Sequence, residues 1–211
     1  MSARRPGVEG KRIFDALVSI AVLILLSPVL LLLAIVVAVW MGRPVLFTQS
    51  RPGQAGELFP LYKFRTMKHI QERDGKELPD RDRLTGLGRW MRKWSLDELP
   101  ELFTVLKGDM SLVGPRPLLV QYLDRYTPEQ ARRHEVKPGI TGWAQVNGRN
   151  AITWEEKFSM DVWYVDNRSF RLDVKILAMT VWKVFVREGI SAEGEATMPE
   201  FLGTAVKEKR S

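Results

Sequence analysis

Asp97 and Glu98 stand side by side within Ser95–Pro100 (SLDELP), with Arg92 and Lys93 just upstream. A carboxylate pair among cations can attack an electrophile, pass a proton or hold a divalent ion. A structural reading is equally physical. Ser95 followed three residues later by Glu98 makes a capping box, and Asp97 in a first turn favours the helix dipole. Pro100 complicates a helix that starts at Ser95, because it would fall one position past the free amides. A start near Leu99 instead leaves both carboxylates in the entry turn. On motif chemistry alone, capping is the simpler reading.

Other stretches offer groups that such a pair would need. In Lys107–Pro117 (KGDMSLVGPRP), Arg116 is held between two prolines, and a planar cation on a stiff loop suits bidentate phosphate recognition. By itself this is also a rigid turn with an exposed arginine. Lys137–Asn150 (KPGITGWAQVNGRN) supplies Gly139, Gly142, Gly148 and Arg149, and glycines let backbone amides approach a ligand closely. It matches no phosphate-loop fingerprint. Asp80-Arg81-Asp82 resembles the two-carboxylate metal motif of nucleotide-sugar glycosyltransferases, inside a charged stretch from Glu72 to Arg83 that reads as a solvated loop.

The elements that must carry these groups begin at a membrane. Ala16–Trp40 is an apolar run with Ser27-Pro28 at its midpoint and Arg4, Arg5, Lys11, Arg12 and Arg43 at its flanks. As a straight helix it would be roughly 37 Å long, enough to cross a hydrocarbon core of about 30 Å. Pro28 lacks an amide proton and frees the carbonyl of Ile24, so a break is expected there, with Ser27 placed to bond the freed carbonyl. Each half then spans roughly 18 Å, which suits one leaflet. Basic flanks mark a cytoplasmic side, and here both ends carry them, so the run reads as a helix that enters and turns back. A single-pass helix with a tolerated proline is the alternative.

Past this anchor, Val45–Gln49 and Leu58–Met67 flank the turn formers of Arg51–Gly56, a β-hairpin signal. Alternation puts Lys63 and Arg65 on one face of the second strand and Phe64 on the other, giving a positive surface. Trp90 and Trp94 stack four residues apart among Arg89, Arg92 and Lys93, as in an interfacial helix, although core packing of both indoles fits as well. Leu172–Val186 is an apolar helix with Asp173, Thr180, Lys183 and Arg187 in a narrow polar stripe. Beyond Ser191 the chain is polar, with reason to pack only around Met198–Leu202.

Composition sets the outer limits. The chain has 211 residues, a net charge of +7, no cysteine and two histidines, His69 and His134. That excludes disulfides, a thiol nucleophile and histidine-rich metal sites, and leaves room for one globular domain outside the anchor. A sequence pI near 9.8 suits anionic lipid, nucleic acid or a phosphorylated substrate.

The ordered set of Lys11–Asp15 (KRIFD), the Ser27-Pro28 interrupted run, Phe47–Gly53 (FTQSRPG), Tyr62–Met67 (YKFRTM), Ser95–Pro100, Leu106–Pro117 and Pro138–Arg149 closely resembles the monotopic phosphoglycosyl transferases, also called bacterial sugar transferases. The resemblance runs from about Lys11 to Gly203. The short length and the Ser191–Glu195 segment look most like the small member that initiates bacterial N-linked protein glycosylation. The implied fold is α+β: a re-entrant membrane helix-break-helix (1–42), a cytosolic catalytic domain of helices with a β-hairpin and interfacial helices (43–203), and a polar tail (204–211). The implied place is the cytoplasmic face of the bacterial inner membrane.

The same resemblance implies transfer of a phosphosugar from a UDP-sugar to undecaprenyl phosphate, with release of UMP. The donor it favours is an N-acetylated hexosamine derivative such as UDP-di-N-acetylbacillosamine; glucose and galactose stay open. Asp97 aligns with the nucleophile and Glu98 with its dyad partner, and Mg²⁺ would sit on Asp97 with Glu98 near it. Arg116 and Arg149 are the expected phosphate contacts, followed by Lys63, Arg65 and Arg92, which can instead face lipid head groups. Two other classes compete. A membrane-tethered basic binding module would explain the charge but leave Asp97-Glu98 unused, and the chain lacks the aromatic platform of a single-strand nucleic-acid binder. A direct-transfer glycosyltransferase using Asp80 and Asp82 would release UDP. The residues fix no oligomeric state.

Overall fold

A computed structural model describes residues 6–68, 72–73, 76–77, 83–148, 152–186 and 200–204. Helix α1 (Pro6–Met41) is followed by an antiparallel hairpin of β1 (Leu46–Pro52) and β2 (Leu58–Phe64), in register from Leu46 opposite Phe64 to Pro52 opposite Leu58. Short strands β3 (Glu72–Arg73) and β4 (Lys76–Glu77) pair within the stretch read as a loop. Then come α2 (Gly86–Lys93), a 3-10 turn (Leu96–Glu98), α3 (Glu101–Lys107), β5 (Ser111–Val113), α4 (Pro128–Ala131), β6 (Gly139–Thr141), α5 (Trp143–Asn147), α6 (Trp154–Asn167) and α7 (Phe170–Val186).

The expected break in α1 is absent as a gap in secondary structure: the helix is continuous through Ser27 and Pro28. The local chemistry is the expected one, since Ser27 Oγ donates to Ile24 O at 2.8 Å and satisfies the carbonyl that Pro28 leaves without an amide. Both halves of α1 dock on the rest of the chain. Phe14, Val18, Val22 and Leu23 pack against the main core built from Leu102, Val105, Met110, Leu112, Val113, Tyr164 and Ile176. Leu33 and Val37 join Phe64 and Met91 in a second cluster. Polar ties fix the N-terminal end: Lys11 pairs with Asp173 at 2.6 Å, Arg12 donates to the Val105 and Leu106 carbonyls, and Ser111 donates to Asp15. Between the docked stretches, Ile24, Leu25, Leu31 and Leu32 are exposed. Among the described helices, α1 alone is long and apolar enough to cross a membrane.

Strands β5 and β6 run parallel and so close that glycine is required. A Cβ on Gly139 would lie 2.0 Å from the Gly114 amide nitrogen, and one on Gly142 would lie 2.2 Å from the Gly114 carbonyl. These two glycines therefore serve backbone packing, not the ligand approach expected of them. In α7 the polar stripe turns inward. Asp173 is buried and accepts from Tyr164 at 2.6 Å, and Thr180 bonds Thr141, while Val174, Val181 and Trp182 face outward, Trp182 being 66% exposed. Such an inverted helix suits an apolar surrounding.

Candidate active site

The dyad enters on a strained residue. Ser95 has φ 54°, in the left-handed region that a residue with a Cβ seldom adopts, and its side chain caps nothing. The capping box is thus not formed; the 3-10 turn swings Glu98 toward cations on other elements instead. Pro100 is the N-cap of α3, so Asp97 and Glu98 occupy the entry to that helix.

Two cations from separate parts of the fold converge on Glu98. Lys63, at the end of β2, lies 2.7 Å from Glu98 Oε1, and Arg116 grips the carboxylate with both terminal nitrogens, one of them 3.2 Å from Oε2. Lys63 also reaches Glu101 in the first turn of α3 at 3.2 Å. Burial works to raise Glu98, but Arg116 and Lys63 overcome it and hold the carboxyl well below the usual carboxylate range. Glu101 goes the other way: burial, then the charge of Glu98, push it up to about 7.

Asp97 is buried and forms no ion pair among the described residues. Burial raises its pKa, the neighbouring Glu98 raises it further, and Lys63 and Arg92 counteract from nearby. Arg92 itself donates to Thr66 Oγ1 at 3.1 Å. One carboxylate of the pair is therefore committed to cations and the other is uncommitted.

The remaining predicted residues fall as follows. Arg65, expected as a phosphate contact, is buried and donates to the carbonyls of Met41, Gly42 and Arg43, closing the C-terminus of α1, where unsatisfied carbonyls attract a cation. Lys63 and Arg65 thus form no open positive surface. Ser27 and Pro28 lie mid-way along α1, far in sequence from the dyad. Trp90 is exposed, which removes core packing as its role. Arg149, Asp80 and Asp82 lie outside the described residues.

Sequence reasoning missed Glu101 and Arg133. Glu101 follows Glu98 by one helical turn and was legible as a same-face neighbour. Arg133 carried no local signal. It is buried, pairs with Asp161 at 2.8 Å, and donates to the backbone carbonyl of Arg116 at 2.7 Å.

Among the described residues, no three His, Asp or Glu side chains cluster so as to hold a metal unaided. The donor set at the dyad is Asp97 alone, because both oxygens of Glu98 are taken by Arg116 and Lys63. A single carboxylate fits Mg²⁺ shared with substrate phosphates, the usual arrangement for that ion.

The sequence profile of the bacterial sugar transferases matches residues 8–187. The chain belongs to the bacterial sugar transferase family. It is similar to the uncharacterized sugar transferase EpsL of Bacillus subtilis, 58% identical over 194 residues that cover 92% of this chain and 96% of that protein. An undecaprenyl-phosphate galactose phosphotransferase of Salmonella typhimurium is 41% identical over 209 residues, covering 89% of this chain and 43% of that protein. An Aeromonas hydrophila protein named as a UDP-N-acetylgalactosamine-undecaprenyl-phosphate N-acetylgalactosaminephosphotransferase is 41% identical over 179 residues, 81% of this chain and 42% of that protein. The chain thus spans nearly all of EpsL and about two-fifths of the two longer relatives. Membership makes it a sugar transferase, and its apolar α1 associates it with a membrane.

Proposed function

We propose that this enzyme moves a phosphosugar from a UDP-sugar to undecaprenyl phosphate in two steps through Asp97. The observation that carries the reading is the uncommitted, buried carboxylate of Asp97 beside a Glu98 already saturated by Arg116 and Lys63. In the first step an Asp97 carboxylate oxygen attacks the β-phosphorus of the donor. The bond from that phosphorus to the bridging oxygen breaks, UMP leaves, and an acyl phosphate bearing the sugar remains. In the second step a phosphate oxygen of undecaprenyl phosphate attacks the same phosphorus and releases the Asp97 carboxylate. Splitting the transfer lets a water-soluble donor and a lipid acceptor use one site in turn.

The residues divide the work. Arg116, stiffened by Pro115 and Pro117, offers a bidentate grip that can pass from Glu98 to a diphosphate. Glu98, held so firmly ionised, is a poor proton acceptor; its role is to preset Arg116 and Lys63. Lys63 and Arg92 lower the cost of ionising Asp97. Mg²⁺, when bound at Asp97, would neutralise phosphate oxygens that otherwise repel the nucleophile.

The relatives' names span galactose and N-acetylgalactosamine, so family membership does not select the sugar. The resemblance to the N-glycosylation initiator favours an N-acetylated hexosamine derivative such as UDP-di-N-acetylbacillosamine. The re-entrant topology, with the domain on the cytoplasmic face, is supported by the basic flanks of α1 and by the ties that hold both its ends to one domain. A panel of UDP-sugars tested with undecaprenyl phosphate should give UMP with at least one donor. Mass spectrometry of enzyme with that donor alone should show one phosphosugar on Asp97. Release of UDP without an adduct would instead favour direct transfer.

A further inference from the structure

The family profile ends at residue 187, yet residues beyond it are built into the wall behind Arg116. Phe201 is 3% exposed and seated among Tyr122, Tyr126, Trp154 and Phe158, with ring centroids 4.9–6.0 Å away. Its backbone is strapped down as well. Phe201 N donates to the Tyr122 hydroxyl at 3.2 Å, and Arg125 donates to Glu200 at 2.8 Å and to the Phe201 carbonyl. Thr204 accepts from Gln130 at 3.0 Å.

Two of those rings face Arg133. Its guanidinium carbon lies 5.8 Å from the Tyr126 ring and 5.7 Å from the Phe158 ring, within cation–π range. Arg133 in turn donates to the Arg116 carbonyl at 2.7 Å. Three contacts therefore link Phe201 to the cation that grips Glu98. Resting on the proposed phosphosugar transfer, we propose that the segment Glu200–Thr204 positions Arg116 through Phe201 and Arg133, so that donor binding depends on residues beyond the family-matched span. Removing the Phe201 ring leaves a cavity between aromatic side chains, which repack and shift Arg133. Because Pro115 and Pro117 fix the backbone on either side, a shift at the Arg116 carbonyl moves the loop as a rigid piece and misplaces the guanidinium. Phe201 is a positioning residue that touches no substrate.

The test uses the full chain in lipid. Phe201→Ala should raise the donor KM about fivefold to tenfold with a smaller change in kcat, since small misplacements of a gripping residue weaken binding and orientation. Its effect on donor KM should be less than multiplicative with that of Arg116→Lys, as expected for coupled groups. Amide exchange across residues 113–119 should quicken by about tenfold in the absence of any donor. Leu202→Ala, at a side chain 53% exposed, should change none of these. If Phe201→Ala does not accumulate folded, Phe201→Leu is measured the same way, with smaller shifts of the same sign expected. A donor KM within twofold of wild type, or multiplicative effects with Arg116→Lys, overturns the proposal. Should wild type release no UMP from any UDP-sugar, the functional reading fails, and the exchange measurement alone decides this one: unchanged exchange in Phe201→Ala overturns it.

Discussion

Three carboxyls within one turn of chain, Asp97, Glu98 and Glu101, receive three different electrostatic assignments from their neighbours. Glu98 is pinned ionised, Asp97 is raised by burial, and Glu101 is pushed up to about 7 by burial and by Glu98. Across the groups facing Glu101, Lys63 and Arg116 favour its charge while burial and Glu98 oppose it, so its proton moves near neutrality. This has a consequence for stability. A raised carboxyl binds its proton more tightly in the folded chain, so its stabilisation is complete below about 4.5 and is lost as pH rises through about 7. Glu101→Gln keeps the shape without the charge. Its unfolding free energy should match wild type near pH 5 and exceed it at pH 8, by a margin on the order of 1–3 kcal/mol at full ionisation. Equal margins at both pH values would mean that Glu101 does not titrate there. For Asp97 the expected outcome is loss of function without loss of fold. Asp97→Asn should form no adduct and lower turnover at least a thousandfold, in the range that removal of a covalent nucleophile produces, while melting and membrane retention stay near wild type.

At the scale of elements, what the sequence could show was whatever depends on neighbours along the chain. The β1–β2 hairpin, the Ser27 bond to Ile24 and the late start of α3 after Pro100 all follow from local sterics and turn chemistry, and all stand. The misreadings share a different cause. Gly139 and Gly142 answer to Gly114, and Arg65 answers to the end of α1. None of those partners is within reach along the sequence, so composition gave each residue its commonest role instead of its actual one. Arg133 was invisible for the same reason. Arg65 gives a clean test of its reassignment. Arg65→Met removes a cation from three helix-end carbonyls and should destabilise the chain by about 2–3 kcal/mol, since hydrogen bonds from charged donors are the stronger kind. Donor KM should be unchanged when measured below the melting transition. A tenfold rise in donor KM with normal stability would return Arg65 to the substrate.

Taken as a whole, the molecule exposes apolar side chains on α1 and α7, among them Leu25, Leu31, Val181 and Trp182, while Asp97, Glu98 and their cations lie on β2, the 3-10 turn and the Arg116 loop. The proposed transfer, between a nucleotide sugar and a polyprenol phosphate, would be well served at head-group depth, where both can arrive. The re-entrant topology proposed for the anchor rests on how α1 is tied. Lys11 and Arg12 hold one end of α1 to α7 and α3, and Arg65 holds the other end to β2. A spanning helix would carry Lys11 and Arg12 across the bilayer, away from Asp173 and the α3 carbonyls, and would strand Asp173 as a buried, unpaired charge, at a cost of several kcal/mol. The absence of cysteine makes the prediction direct to check. Ser2→Cys and Lys93→Cys, made singly in intact cells, should both resist an impermeant thiol reagent added outside and both react once the inner face is opened. Arg12→Ala combined with Pro28→Ala removes a tie and restores a straight helix, and should expose a fraction of Ser2→Cys to the outside reagent. Labelling of Ser2→Cys from outside in the otherwise unchanged chain would show that the helix spans, and that the ties to Asp173 and α3 do not form in the membrane.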